Sequence, residues 1–317
     1  MNCGVGFRIS NAASPTPTDR PRTRDAMPLS TAAAGSELSS STIEVTVRDV
    51  LAYAAGIGDT CDAVFDDARN GGVAAPPPYC VSLEWPVVSR GRGSEILGGE
   101  PHELRRGVHA SQDSHFHRPI RPGDSLTTRG RYVGIRSTRA GVLLTTRLDT
   151  VDLEGRPVTT SWSRSIFRGV DTTGPNAETE PCPEPPRLSL AGNNRSRCEI
   201  FVPREMPHVY TECARIWNPI HTEREVALGA GLPDIILHGT ATWALAGREV
   251  LRAYGGGDPL RLRRLYGRFS AMVIPGTSIT VEHATAGETE DGGLQVAFRV
   301  LNAEGQEAVS QGVAVVA

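Results

Sequence analysis

YTECARIWNPIHTEREVALGAGLPDIILHGTATWALAGREVL, residues 210–251, is the stretch on which the fold turns. It holds an Asn-Pro-X-His turn at Asn218–His221, a short charged segment, a Gly-Leu-Pro turn at Gly231–Pro233 and a His238-Gly239 pair that opens a helix. That helix, LHGTATWALAGREVLRAYG from Leu237, is apolar or small around most of its circumference, with Ala241, Trp243, Leu245, Val250 and Leu251 among its residues. A helix apolar on most sides is enclosed by protein. A curved antiparallel sheet wrapped around it meets that demand, and Gly255-Gly256-Gly257 gives it a stop.

Outward from this stretch, the second half of the chain repeats the first. FHRPIRPGDSLT (116–127) aligns without a gap on FSAMVIPGTSIT (269–280), 153 positions on, so that Pro122-Gly123 falls on Pro275-Gly276. Tyr53 falls on Tyr210, Trp85 on Trp243, and Glu154-Gly155 on Glu304-Gly305, at offsets of 157, 158 and 150. A drifting offset with preserved order is what duplication followed by loop changes leaves behind. Each half reads as helix first, then antiparallel strands, in which β-branched residues alternate between turns such as PGD and LEG. In the first half, a helix is expected from about Val47, capped by Thr46 with Asp49 completing a capping box. The segment YCVSLEW also reads as a helix, which Pro86 is expected to break or kink early and so leave room for a bulky group.

The expected organisation is a disordered segment over 1–41, rich in Ser, Thr, Ala and Pro, a first repeat over 42–169, a Pro- and acid-rich linker over 170–197, and a second repeat over 198–317 that carries the site. At 317 residues the chain is long enough for two compact units. No apolar run reaches the eighteen or so residues of a membrane span. A net charge of −3 gives no signal for nucleic acid. All 33 basic residues are arginine, so lysine chemistry is excluded and any phosphate must be met by Arg, His or backbone N–H. The six cysteines are scattered without a CxxC pair, and free thiols are expected. The start shows no secretory signal; a cytoplasmic location is expected, with organellar import left open.

The run WNPIHTEREVALGAGLPDIILHG, with HASQDSHFHRPIRPGDSL and the VRDVLAYAAGIGD segment, resembles the MaoC-like dehydratases and (R)-specific type-2 enoyl-CoA hydratases. The resemblance covers nearly the whole chain from about residue 43. It implies an α+β double hot-dog fold, in which two repeats pack side by side as a pseudo-dimer, and an acyl thioester of coenzyme A or acyl carrier protein lying between the halves. It implies no cofactor and no metal, and a homodimer is compatible with it.

Hydration of a 2-enoyl thioester needs an acid/base group for water and for C2, and donors for the enolate-like oxygen. His221 is the natural acid/base, because imidazole titrates near neutrality. Asn218 is placed to orient water or the loop. The free N–H groups at the helix start, Gly239 foremost, can polarise the thioester carbonyl. Ile216, Trp217, His238 and Trp243 are candidate pocket residues, and Arg264, within RLRRLYGR, is a candidate for the anionic end of coenzyme A.

The sequence departs from the family at Ile216, where an aspartate sits five residues before the motif histidine. Isoleucine moves no proton. Glu212, one helical turn earlier, and Glu84, on the first half's counterpart of the central helix, are the candidate substitutes, beside the reading in which His221 works alone. Asp59 stands at the first-half position equivalent to Ile216, but Val64 stands where that half would need its histidine. Two other readings stay open: a repurposed hot-dog enzyme that isomerises or cyclises without moving water, and a non-catalytic partner subunit. His115 and His117 alternate on a strand without a third clustered ligand, so a plain strand-face pair is expected.

Overall fold

The computed structural model describes residues 28–93, 95–190 and 195–317. Each half pairs a central helix with an antiparallel sheet, and the two sheets join edge to edge into one. In the first half, β1 (Ser41–Glu44) leads to α1 (Val47–Gly56), the single turn α2 (Asp62–Phe65), α3 (Cys80–Arg92) and the single turn α4 (Pro101–Leu104). Then come β2 (Gly107–Phe116), β3 (Ser125–Thr138), β4 (Gly141–Val151), β5 (Pro157–Arg168) and the short β6 (Ala177–Glu178). The second half runs β7 (Ser196–Val202), α5 (Met206–Ala214), α6 (Arg224–Gly229), α7 (Gly239–Tyr254), β8 (Leu262–Phe269), β9 (Thr277–Glu288), β10 (Leu294–Leu301) and β11 (Glu307–Val316). The strand order is β1-β3-β4-β5-β2-β8-β11-β10-β9-β7, with β6 on β3. This is a double hot-dog.

The internal repeat is visible as a pseudo-twofold axis. β2 and β8 pair antiparallel with Asp113 opposite Tyr266. Those two residues are 153 positions apart, the same offset that superposes Phe116 on Phe269, so the axis passes between them. On the helix side, the equivalent residues Tyr53 and Tyr210 meet hydroxyl to hydroxyl at 3.4 Å, and α1 packs directly on α5. Added bulk at Gly56 would meet the Cβ of Cys213 at 2.8 Å, which is how closely those two helices approach.

The helices form where the sequence supplies their ends. Thr46 caps α1, accepting from Asp49 N–H at 3.2 Å, and the Asp49 carboxylate accepts from Thr46 N–H in return. α7 is the core of the second half: Ala241, Trp243, Ala244, Leu245, Ala246 and Val250 are all essentially inaccessible. Gly247 lets it lie against Leu265 of β8. Arg248 of α7 reaches the first half and donates to the carbonyls of Ile57 and Gly58 at the end of α1, while pairing with Glu249 at 2.7 Å. A cation on a helix C-terminus satisfies carbonyls that have no partner within the helix.

Two expectations are corrected. α3 does not stop at Pro86; it continues to Arg92, because Pro removes a single N–H and the helix is held from outside, Tyr132 donating to Gly91 O at 2.5 Å and Val87 being fully buried. The early break expected at Pro86 is therefore not what shapes this half. Residues 28–40 are also not disordered: Leu29 is fully buried beside Leu97, and its N–H donates to Asp171 O at 2.9 Å. The rest of that segment, 1–27, lies outside the described residues.

Candidate active site at the start of the second central helix

After α5, Arg215 adopts a left-handed backbone (φ 55°, ψ 37°), and its guanidinium meets the Asp49 carboxylate at 2.6 Å. That turn carries Ile216 into the core, where it is 5% exposed and its N–H donates to Thr211 O. Pro219 then opens a one-turn 3-10 helix, Pro219–His221, closed by His221 N–H donating to Asn218 O at 3.1 Å. Proline suits that first position because it has no N–H to satisfy.

His221 is 9% exposed, and its Nδ1 lies 2.8 Å from Ile236 O. A carbonyl only accepts, so Nδ1 carries the hydrogen and the Nε2 lone pair is left to act as a base. The ring stacks on His238, centroids 3.6 Å apart and planes 25° from parallel. His238 immediately precedes α7; its Nε2–H faces Ile216 O at 3.3 Å and Thr211 Oγ1 at 3.2 Å, and its buried Nδ1 has no hydrogen-bond partner among the described residues. Burial pushes His221 down to about 4. His238 is pushed well below the usual histidine range, by burial first and then by the adjacent His221. Both imidazoles are therefore neutral near pH 7.

Gly239 begins α7, where its N–H has no carbonyl one turn back within the helix to serve. A Cβ there would sit 3.2 Å from the Phe269 ring. Phe269 in turn meets the ring of His109 at 4.7 Å. Behind the site, Tyr210 donates to Thr240 Oγ1 at 3.2 Å and its ring lies 5.0 Å from that of His238.

The structure thus brings His221, His238, Gly239 and the Asn218 backbone together. It does not bring the substitute acids to them. Glu212 is exposed on α5. Glu84 is buried under α3, accepting from Gln112 Nε2 at 2.9 Å and Ser161 Oγ at 2.5 Å, with its pKa raised by burial to about 7. Burial lowers His221 against the opposing pull of the Ile236 carbonyl, and among the described residues no carboxylate pairs with it. Three candidate pocket residues are also displaced. Trp217 is 58% exposed and forms no buried wall. Trp243 is fully buried against Gly267 of β8, in the core of the helix–sheet packing. Arg264 spends its guanidinium on a two-pronged pair with Asp113, at 2.7 and 2.9 Å, across the β2–β8 junction. Asp59, the counterpart of Ile216, faces Arg252 at 3.7 Å.

His109 escaped the sequence reading. Strict alternation puts it on the face of Ser111 and Asp113, but a register shift between His109 and Ser111 turns it to the opposite, helix-facing side. Nothing in the residues around 110 announces that shift. Among the described residues no group of three or more His, Cys, Asp or Glu side chains is placed to hold a metal ion, and no helix is long and apolar enough to cross a membrane.

Two hot-dog repeats with a helix-start site in one of them define a protein class, and comparison with known proteins agrees with it. Residues 205–305 match the family model described as MaoC like domain, and residues 32–161 match the one described as FAS1-like, dehydratase domain region. The second half thus carries a MaoC-like domain and the first half a FAS1-like dehydratase region, and the solved neighbours include MaoC-like hot-dog proteins. It is 27% identical over 274 residues to 3-hydroxyacyl-thioester dehydratase Y of Mycobacterium tuberculosis, covering 84% of this chain and 89% of that protein. It is 23% identical to the peroxisomal multifunctional enzyme type 2 of Drosophila melanogaster over 87% of this chain, but spans only 46% of that longer protein. The solved MaoC-like dehydratase from Phytophthora capsici shares the fold at a TM-score of 0.74 and 24% identity, over 89% of this chain and 96% of that one.

Proposed function

We propose that the protein is a hydratase/dehydratase of 2-enoyl and 3-hydroxyacyl thioesters, carried on coenzyme A or acyl carrier protein, with His221 as its only acid/base group. The observation that carries this is the fixed tautomer of His221: Nδ1–H on Ile236 O leaves the Nε2 lone pair free, beside the open N–H of Gly239.

In the dehydration direction, Nε2 takes the C2 proton of a 3-hydroxyacyl thioester, and the electron pair moves onto the carbonyl oxygen, held by Gly239 N–H and the α7 dipole. The imidazolium then returns that proton to the C3 hydroxyl, the C3–O bond breaks, water leaves and C2=C3 forms. One base serving both carbons works from one face, so the elimination is syn. A conjugate acid near pKa 4 protonates a leaving hydroxyl readily; as a base it is weak, which places the weight of C2 deprotonation on the oxyanion donors. The names of the relatives, a 3-hydroxyacyl-thioester dehydratase among them, support this substrate class.

Ile216 favours a second reading, a pocket that enolises or isomerises thioesters without moving water. The test is incubation of the purified protein with crotonyl-CoA and longer trans-2-enoyl-CoAs. Water addition at some chain length supports the first reading. Turnover that consumes the thioester without adding water, and that His221→Ala abolishes, replaces it with the second.

A further inference from the structure

The two halves differ sharply on one face. In the second half, the sheet residues under α7 are Leu262, Leu265, Ala314 and Val316, all buried in the apolar core, with Val250 of α7 above them. The strand registers map these onto His109, Gln112, Ser163 and Ser165, and the Trp85–Trp243 offset maps Val250 onto Arg92. Five apolar positions have thus become polar in the first half. His109 Nε2 meets Ser163 Oγ at 3.1 Å, Arg92 donates to Ser165 Oγ at 3.1 Å, and Gln112 donates to Glu84. An interior of this kind costs stability that an apolar one would supply.

The placement of α3 goes with it. Gly130 of β3 lies so near α3 that a Cβ there would stand 2.7 Å from Val87, and α3 packs chiefly on β3, β4 and β1. α7 packs chiefly on β11, the partner of β5 in the repeat. The polar residues of β2 and β5 therefore lie on the side away from which α3 leans. This face begins at the thioester site: the His109 ring meets that of Phe269 at 4.7 Å, tilted by 52°, and Phe269 in turn lies against Gly239.

We infer that this polar face receives the acyl chain, and that the chain it takes is oxygenated, carrying hydroxyl or keto groups beyond C3, in place of a plain alkyl tail. The inference rests on the thioester reading of the site. A hydroxyl or keto oxygen can join the hydrogen bonds that His109, Gln112 and Ser163 already make, whereas a methylene chain shields these polar groups from water and returns no bond, and sites built for hydrogen bonding discriminate strongly against ligands that cannot return them.

The test compares trans-2-decenoyl-CoA with analogues bearing a hydroxyl or ketone at C5, C7 or C9. Dissociation constants are measured by calorimetry on the His221→Ala protein, so that binding preference is read whether or not the protein is a hydratase. Loss of the enoyl absorbance by the wild type is measured alongside. At least one oxygenated analogue is expected to bind roughly tenfold or more tightly than the parent. In the Gln112→Leu/Ser163→Ala variant, checked for folding by its melting curve, that ratio is expected to fall to one or below. A parent chain that binds as well as every analogue overturns the inference, as does a ratio unchanged in the variant. Oxygenated chains that bind selectively but are never hydrated leave the inference standing and overturn the hydratase reading.

Discussion

His221 stacks on His238 with 3.6 Å between ring centroids, and the two imidazoles face opposite electrostatic duties. His221 gives its Nδ1–H to Ile236 O and keeps a lone pair at Nε2. His238 gives its Nε2–H to Ile216 O and Thr211 and holds its ring against the base. Burial keeps both rings neutral, and the neighbouring His221 lowers His238 further, where a carboxylate partner would have drawn a proton on.

That neutrality predicts an acid limb for kcat/KM near pH 4, well below the ordinary histidine value, since His221 remains a base until its depressed pKa is reached. A pH profile on a short enoyl-CoA measures it. A limb at 6 to 7 would mean that a carboxylate supports the ring after all.

Stability follows the same groups. The folded pKa values of His221, His238 and His109 lie below the value of about 6.5 in the unfolded chain. Between about pH 6.5 and 4 the unfolded state binds more protons, so the contribution of these histidines to stability is full above pH 6.5 and is lost as pH falls towards 4. Urea midpoints at pH 7 and pH 5 are expected to show the fall, and His109→Leu, which removes one titrating group, is expected to shrink it.

Ile216→Asp places a carboxylate beside the Ile216 carbonyl that holds His238. It is expected to move the acid limb upward, because an opposite charge favours the imidazolium, and to lower the melting temperature, because Ile216 is buried.

Gly239→Ala tests the helix start. Its Cβ would stand 3.2 Å from Phe269, in the space a carbonyl oxygen needs. Alanine favours the helix, so the expected outcome is a fall in kcat/KM of about tenfold or more with no loss of stability, partly recovered in combination with Phe269→Ala. Unchanged kinetics would remove Gly239 from the oxyanion role.

Arg248→Met uncaps α1 and removes the closer of the two arginines that pair with Glu249, leaving Arg252 at 3.3 Å. A loss of roughly 3 kcal/mol in unfolding free energy is expected, the scale of breaking a buried ion pair. No comparable loss is expected from Arg263→Met, whose pair with Asp291 is exposed.

The repeat was legible because its markers are local. The Pro122-Gly123 and Pro275-Gly276 turns and the Tyr53–Tyr210 match survive in the sequence, and the structure sets those tyrosines face to face. The capping box of α1 was legible for the same reason. What could not be read depends on partners far along the chain. Pro86 looks like a helix breaker until Tyr132 and Val87 are seen to hold the helix beyond it. Arg264 looks like a free cation until Asp113, 151 positions earlier, is found beside it. Glu84 looks like a replacement acid until its oxygens are found occupied by Gln112 and Ser161. His109 waits on a register shift that leaves no mark in the composition of its strand.

The central claim is that one imidazole, that of His221, carries the proton between C2 and the C3 oxygen. A 3-hydroxyacyl-CoA incubated in D2O, followed for both water loss and deuterium entry at C2, tests it most directly in the wild type and in His221→Ala. The expected result is both reactions in the wild type and a joint loss of about a hundredfold or more in the variant. A variant that keeps either reaction at the wild-type rate, or a wild type that performs neither, would contradict it.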